Sequence, residues 1–165
     1  MTPCSDLITS FFARIEKDRD FFDYYNIIDE DEIMEIARTR ATNYLYEAIG
    51  RVIIDTTPSI EFKITTNENN ESFFEDDLTE QEKFILVSLM YEYYLSRDIS
   101  YLKILDVNYT SSDLKVYDPS NARSSFMEMY KEVCSQNKAL LDKYKNTDRL
   151  TGKFKTINFD LYDIT

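Results

Sequence analysis

The amino-acid sequence predicts a mainly α-helical fold: a bundle of about four helices with a small β-hairpin insertion and an extended C-terminal tail. Three observations predict it. Four long segments repeat apolar residues at i, i+3, i+4 and i+7, the period of a helix with one buried face. Strict alternation appears only briefly, near residues 60–64 and again near the end of the chain. The three prolines stand where helical segments start or break. A length of 165 residues fits one domain, with a core over 4–146 and a C-terminal extension over 147–165.

The first stripe is Leu7, Ile8, Phe11, Phe12 and Ile15, which predicts a helix over 4–18. Thr2 or Ser5 is its expected cap, and Pro3 suits its first turn. A second helix is expected over 30–54. Asp29 and Glu32 have N-cap to N3 spacing, and the stripe runs from Ile33 and Ala37 through Ala41, Leu45 and Ala48 to Ile53. Thr57–Pro58 ends it. Ile60, Phe62 and Ile64 then alternate with polar residues, so a hairpin pairing 59–66 with 71–75 is expected around the polar loop Asn67–Asn70. Thr79-x-x-Glu82 is a full capping box before a widely apolar run, which predicts a central helix over 80–97 with a further turn or two beyond. A looser stretch follows at 106–117. Asp118–Pro119 then reads as N-cap and first helical position of a last long helix over 119–146. Gly152 marks the exit into a tail whose Ile157, Phe159 and Leu161 alternate with polar residues.

Composition excludes several functions. The net charge is −12, and the densest basic group, Lys138, Lys143, Lys145, Arg149 and Lys153, is interrupted by Asp142 and Asp148. A general nucleic-acid binder needs Lys and Arg to displace counterions from phosphate, so that class is not expected. Histidine is absent, which removes the commonest general acid–base and metal ligand. Gly50 and Gly152 are the only glycines, too few and too far apart for a phosphate-cradling loop. Cys4 and Cys134 form no metal-binding or redox pair, and both are expected to be free thiols. The carboxylate runs Asp29–Glu32 and Glu75–Asp77 each precede a helix start, where the dipole already favours negative charge. No catalytic residue, cofactor or metal is therefore expected. No stretch approaches the roughly 18 apolar residues of a membrane span, and no signal peptide is visible, so synthesis in the cytoplasm is expected.

What remains is binding to protein. The 13 tyrosines and 11 phenylalanines exceed what a core of this size demands, and aromatic anchors are common at interfaces. Tyr91, Tyr93 and Tyr94 cannot all face one way on a helix. One of them either covers a neighbouring helix or contacts another subunit. The tail has two readings as well: pairing with the chain's own hairpin, or strand addition to a neighbour.

One ordered series of features resembles a known family. It runs from Phe73–Phe74–Glu75–Asp76–Asp77–Leu78–Thr79–Glu80–Gln81–Glu82 through Ile85–Leu86, Met90 and Glu92–Tyr93–Tyr94–Leu95. Asp113, Val116–Tyr117–Asp118–Pro119–Ser120–Asn121 and the helix through Met129–Tyr130–Lys131–Glu132–Val133 follow. Together with the upstream helices, this series over most of 5–145 resembles the small neck proteins of tailed bacteriophages, the head–tail connector, adaptor or head-completion proteins. Tyr94 stands where that family often has tryptophan, and the extension past 146 is longer than in many of its members.

The resemblance implies a structural virion protein at the head–tail interface. Its subunits would form a homo-oligomeric ring, usually a dodecamer, between the portal protein and the next neck or tail protein. Genome DNA would pass through the ring without specific binding. On that reading the expected subunit or portal contacts are Tyr91, Tyr94, Phe154, Ile157, Phe159, Leu161 and Tyr162. The alternative is an acidic helical regulatory protein that docks on a basic partner.

Overall fold

A computed structural model of the chain describes residues 1–15, 29–108 and 120–155, with side chains described except at 98–108 and 120–123. Strand β1 (Thr2–Pro3) leads directly into helix α1 (Cys4–Arg14). Helix α2 (Glu30–Thr56), strands β2 (Ile64–Thr66) and β3 (Ser72–Phe74), and helices α3 (Glu80–Asn108) and α4 (Ser120–Asn146) follow. The architecture is the expected one: mainly helical, with a small antiparallel sheet. Helix α3 packs against the three other described helices and is the central element among them.

Local chemistry sets the helix ends. The Asp29 carboxylate accepts from the Asp31 backbone N–H at 3.0 Å, capping α2 one residue earlier than the predicted Asp29–Glu32 exchange. Thr57 ends α2 in the left-handed region at φ 49°. The capping box of α3 forms in both directions, with the Thr79 N–H on Glu82 at 2.7 Å and the Glu82 N–H on Thr79 Oγ1 at 3.3 Å. The predicted 80–97 helix and its extra turns are one helix to Asn108. The Asp118–Pro119 start of the last helix lies outside the described residues, and the first helix ends at Arg14 with Ile15 as its C-cap, short of the expected residue 18.

Two expectations near the N-terminus and the hairpin are corrected. Neither Thr2 nor Ser5 caps α1: Pro3 occupies the N-cap position without a side-chain bond. Thr2 instead pairs with Phe74 in the sheet, and its hydroxyl accepts from the Leu78 N–H at 2.9 Å. The hairpin gains this third strand, in the order β1-β3-β2. Its own pairing is shorter than expected, from Ile64↔Phe74 to Thr66↔Ser72. Phe62 sits at φ 52°, which breaks the extended run, so the ladder starts only past it. The period-two pattern nonetheless reports burial correctly: Phe62 is 3 % exposed, and Ile60 and Ile64 lean on the core.

The core joins Leu7 and Phe11 of α1, Ala37, Ala41, Leu45 and Ala48 of α2, and Leu86, Leu89 and Met90 of α3. The alanines let the α2 backbone approach α3 closely. Phe11 is fully buried and meets Tyr44 and Tyr94 edge-on, with centroids 6.0 and 6.1 Å away.

Candidate interaction surface

Two buried carboxylates brace this bundle. Glu82, on the first turn of α3, has a fully buried side chain. Arg149 Nε donates to its Oε1 at 2.6 Å and Arg149 Nη2 to its Oε2 at 3.1 Å. The Tyr144 hydroxyl donates to Oε1 at 2.7 Å, and Arg149 Nη2 also donates to the Asp77 carbonyl. Burial raises the Glu82 pKa, but the bonds from Arg149, Tyr144 and Thr79 outweigh it and hold the carboxyl below its ordinary value. The same burial and the adjoining carboxylate push the Tyr144 phenol up.

Glu92, nearly three turns further along α3, accepts from Arg51 Nη1 of α2 at 2.5 Å and from Asn137 Nδ2 of α4 at 2.7 Å. Asn137 Nδ2 also reaches the Ser88 carbonyl at 3.1 Å, and the Cys134 thiol lies 3.4 Å from Glu92. Burial and then the nearby Glu92 charge raise the Cys134 pKa, and burial lifts Cys4 to about 11, so neither sulfur is held as a reactive thiolate. Burial and the bond to Cys134 push Tyr130 up to about 12. Each carboxylate is saturated by donors from other elements, an arrangement that ties elements together. Among the described residues, no group of three or more Cys, Asp or Glu is placed to hold a metal ion. No helix among them is long and apolar enough to cross a membrane.

The predicted contact residues fare differently. Tyr94 is 7 % exposed and belongs to the core, so the expectation of a subunit contact there is corrected. Its helix is surrounded by three others, and its ring is covered by α1. Tyr91 is half-buried, stacked on Tyr94 at 5.9 Å with the Arg14 guanidinium 4.5 Å above its ring. It covers the neighbouring α1, the first of the two readings of the tyrosine group. Phe154 is 73 % exposed. Ile157, Phe159, Leu161 and Tyr162 lie outside the described residues.

The start of the predicted extended tail is a pinned turn. Thr147 bridges Phe154, with the Asp148 N–H on the Lys153 carbonyl at 2.7 Å and the Lys155 N–H on the Asn146 carbonyl at 2.8 Å. The Asp148 carboxylate gathers the Leu150 N–H, the Thr151 N–H and the Thr151 hydroxyl at 3.2, 2.8 and 2.7 Å. Gly152 supplies the left-handed residue at φ 66°. Arg149 points inward to Glu82, while Leu150 points outward and is 80 % exposed.

Sequence reasoning missed most of the exposed apolar side chains: Tyr46, Ile53, Ile54, Phe84 and Leu150. A signal existed for one pair. Ile53 and Ile54 are adjacent on a helix, so they point about 100° apart and one must leave the stripe. Leu150 carried no signal, because only the fold turns Arg149 inward. Two surface depressions complete the picture. One, of about 670 Å³, lies between α1, α2 and the sheet, with Ile8, Leu45, Tyr46, Ile64 and Phe73 on its walls. Arg38, Glu71 and the Met1 ammonium are its charged lining. The other, of about 420 Å³, lies between α1 and α3 beside Leu7, Phe84 and Val87. No protein family, no curated protein and no solved structure matches the chain.

Proposed function

We propose that this chain is a ring-forming structural subunit of a tailed-phage neck, joining the portal vertex to the next neck or tail component. The order of capped helices and joints that resembles the head–tail connector proteins motivates the reading. The observation that carries it is the turn over 148–154. Three bonds to Asp148 and the bond from Arg149 to buried Glu82 hold it, and it displays Leu150 and Phe154 to solvent. A rigid element that presents apolar side chains is what a subunit contact requires, since little ordering entropy remains to be lost on docking.

The work of such a subunit is mechanical and electrostatic. A closed ring needs heterologous contacts, each subunit offering one face to the next. With a net charge of −12, an acidic lumen would repel the DNA backbone and let the genome slide. A ring structure with a basic inner wall would remove that part of the proposal.

Mass measurement and negative-stain imaging of the purified chain, with and without portal rings, test the reading. A ring seated on the portal is the expected outcome. A chain that stays monomeric and ignores portal rings would overturn it and favour the acidic regulatory protein.

A further inference from the structure

We infer that α4 and the 148–154 turn form a releasable arm, which opens as one unit from a body made of α1, α2, α3 and the sheet. The inference stands apart from the ring reading, because it concerns how one chain is held together.

The first observation is how little apolar surface α4 commits to the core. Helices α2 and α4 both have 27 residues. Helix α2 buries Ala37, Ala41, Leu45, Ala48, Ile49 and Val52. Among its described side chains, α4 buries only Leu141 and Tyr144 of that kind. Phe126, Tyr130, Val133 and Leu140 pack against the core half-buried. Even α1, with 11 residues, buries Cys4, Leu7 and Phe11. Segments with few buried apolar contacts open at a lower cost than global unfolding.

The second observation is the chemistry that holds α4 in place. Its other buried positions are polar: Asn137, and Thr147 just past its end. Polar groups clasp it to α3 at two points. Near its middle, Asn137 Nδ2 donates to Glu92 at 2.7 Å and to the Ser88 carbonyl at 3.1 Å. At its C-terminal end, the Tyr144 hydroxyl and Arg149 Nε donate to Glu82 at 2.7 and 2.6 Å. Such bonds exchange for bonds to water at a modest net cost. The turn moves with the helix, since Thr147 bridges Phe154 and the Lys155 N–H donates to the Asn146 carbonyl.

The third observation is that both carboxylates keep partners in the body. The Thr79 N–H donates to Glu82 at 2.7 Å, and Arg51 of α2 donates to Glu92 at 2.5 Å. Each carboxylate lies where arm meets body, so water reaches it when the arm lifts. Opening therefore strands no charge that is both buried and unpaired, the state that makes breaking a buried pair costly. The turn links this clasp to the surface. Arg149 reaches Glu82 while the adjacent Leu150 is exposed, so a partner that grips the turn acts on the clasp directly.

Hydrogen exchange of the full chain, read by mass spectrometry in low urea, tests the arm. In the wild type, the amides of 126–146 should exchange together, about tenfold to a hundredfold faster than those of 37–52 and with a weaker dependence on urea. Glu82→Gln keeps the capping box but removes the charge at the clasp. It should speed exchange about tenfold or more along the whole of 126–146. Leu7→Val trims the body on α1, which makes no contact with α4 among the described residues. It should speed exchange of 37–52 about threefold to tenfold and leave 126–146 unchanged. One shared rate and urea dependence for 126–146 and 37–52 in the wild type would overturn the arm. So would a Glu82→Gln effect confined to 144–154, which is fraying of an end. Equal acceleration of both segments by Leu7→Val would overturn it as well.

Discussion

Glu82 is the residue on which the C-terminal end of the bundle depends. Its carboxylate has no solvent contact and collects Arg149, Tyr144 and the Thr79 N–H. Removing one member of a buried charge pair leaves the other uncompensated. Glu82→Ala should therefore cost about 3–5 kcal/mol of stability in urea denaturation, and a loss under about 1 kcal/mol would mean that the pair is solvated. The pH dependence has a definite sign. The folded carboxyl titrates below its unfolded value. Its contribution is then complete above about pH 4.3 and is lost as pH falls through the folded value. The stability gap between wild type and Glu82→Gln should shrink as pH is lowered from about 7 to about 3. A gap that stays constant over that range would contradict the ion-pair account. Glu82 was legible in the sequence as the second half of a capping box. Its partnership with Arg149, 67 residues away, was not, because nothing local couples the two positions.

Among the elements, the turn after α4 combines the most constraints in the fewest residues. Gly152 lies at φ 66° with open space around it, so a side chain would meet no neighbour but would strain the backbone. Gly152→Ala should cost about 1–2 kcal/mol in thermal or chemical denaturation. The same substitution at Gly50, inside α2 with nothing near its Cβ position, should stabilise by about 0.5–1 kcal/mol. If both substitutions changed stability alike, conformational freedom would not be the cause. Helix periodicity placed the bodies of the four described helices, because each needs one buried stripe. The strand at Thr2–Pro3 escaped it. Two residues carry no period, and only the proximity of Phe74 makes them a strand.

The charge distribution acts on the whole molecule. A basic end on an acidic body would make the proposed self-association partly electrostatic, and exposed charges are screened over about 8 Å at physiological ionic strength. Association of the purified chain should weaken steadily from about 0.05 to 0.5 M salt, as measured by sedimentation. A salt-independent constant would assign the contact to apolar burial alone. Deleting residues 150–165 should weaken assembly and portal binding with helicity intact. A shorter deletion, 156–165, tests the turn against the tail. It removes Ile157, Phe159, Leu161 and Tyr162 but leaves Leu150 and Phe154 in place. Full assembly after the shorter deletion is the result expected if the turn is the contact.

The sequence by itself determined the mainly helical class, the order of the described helices and the hairpin, the capping box of α3 and the central place of that helix. Those follow from spacing and from hydrogen-bond chemistry that acts over a few residues. It also marked the tyrosines of α3 as a surplus to be explained. Only the tertiary structure decided where they go. Tyr94 is sealed under Phe11, and Tyr91 is stacked between it and Arg14. The same holds for the turn, where Arg149 is inward and Leu150 outward because a buried carboxylate from another helix claims the arginine. Burial depends on what packs across a gap, and that is set by contacts between residues far apart in the chain.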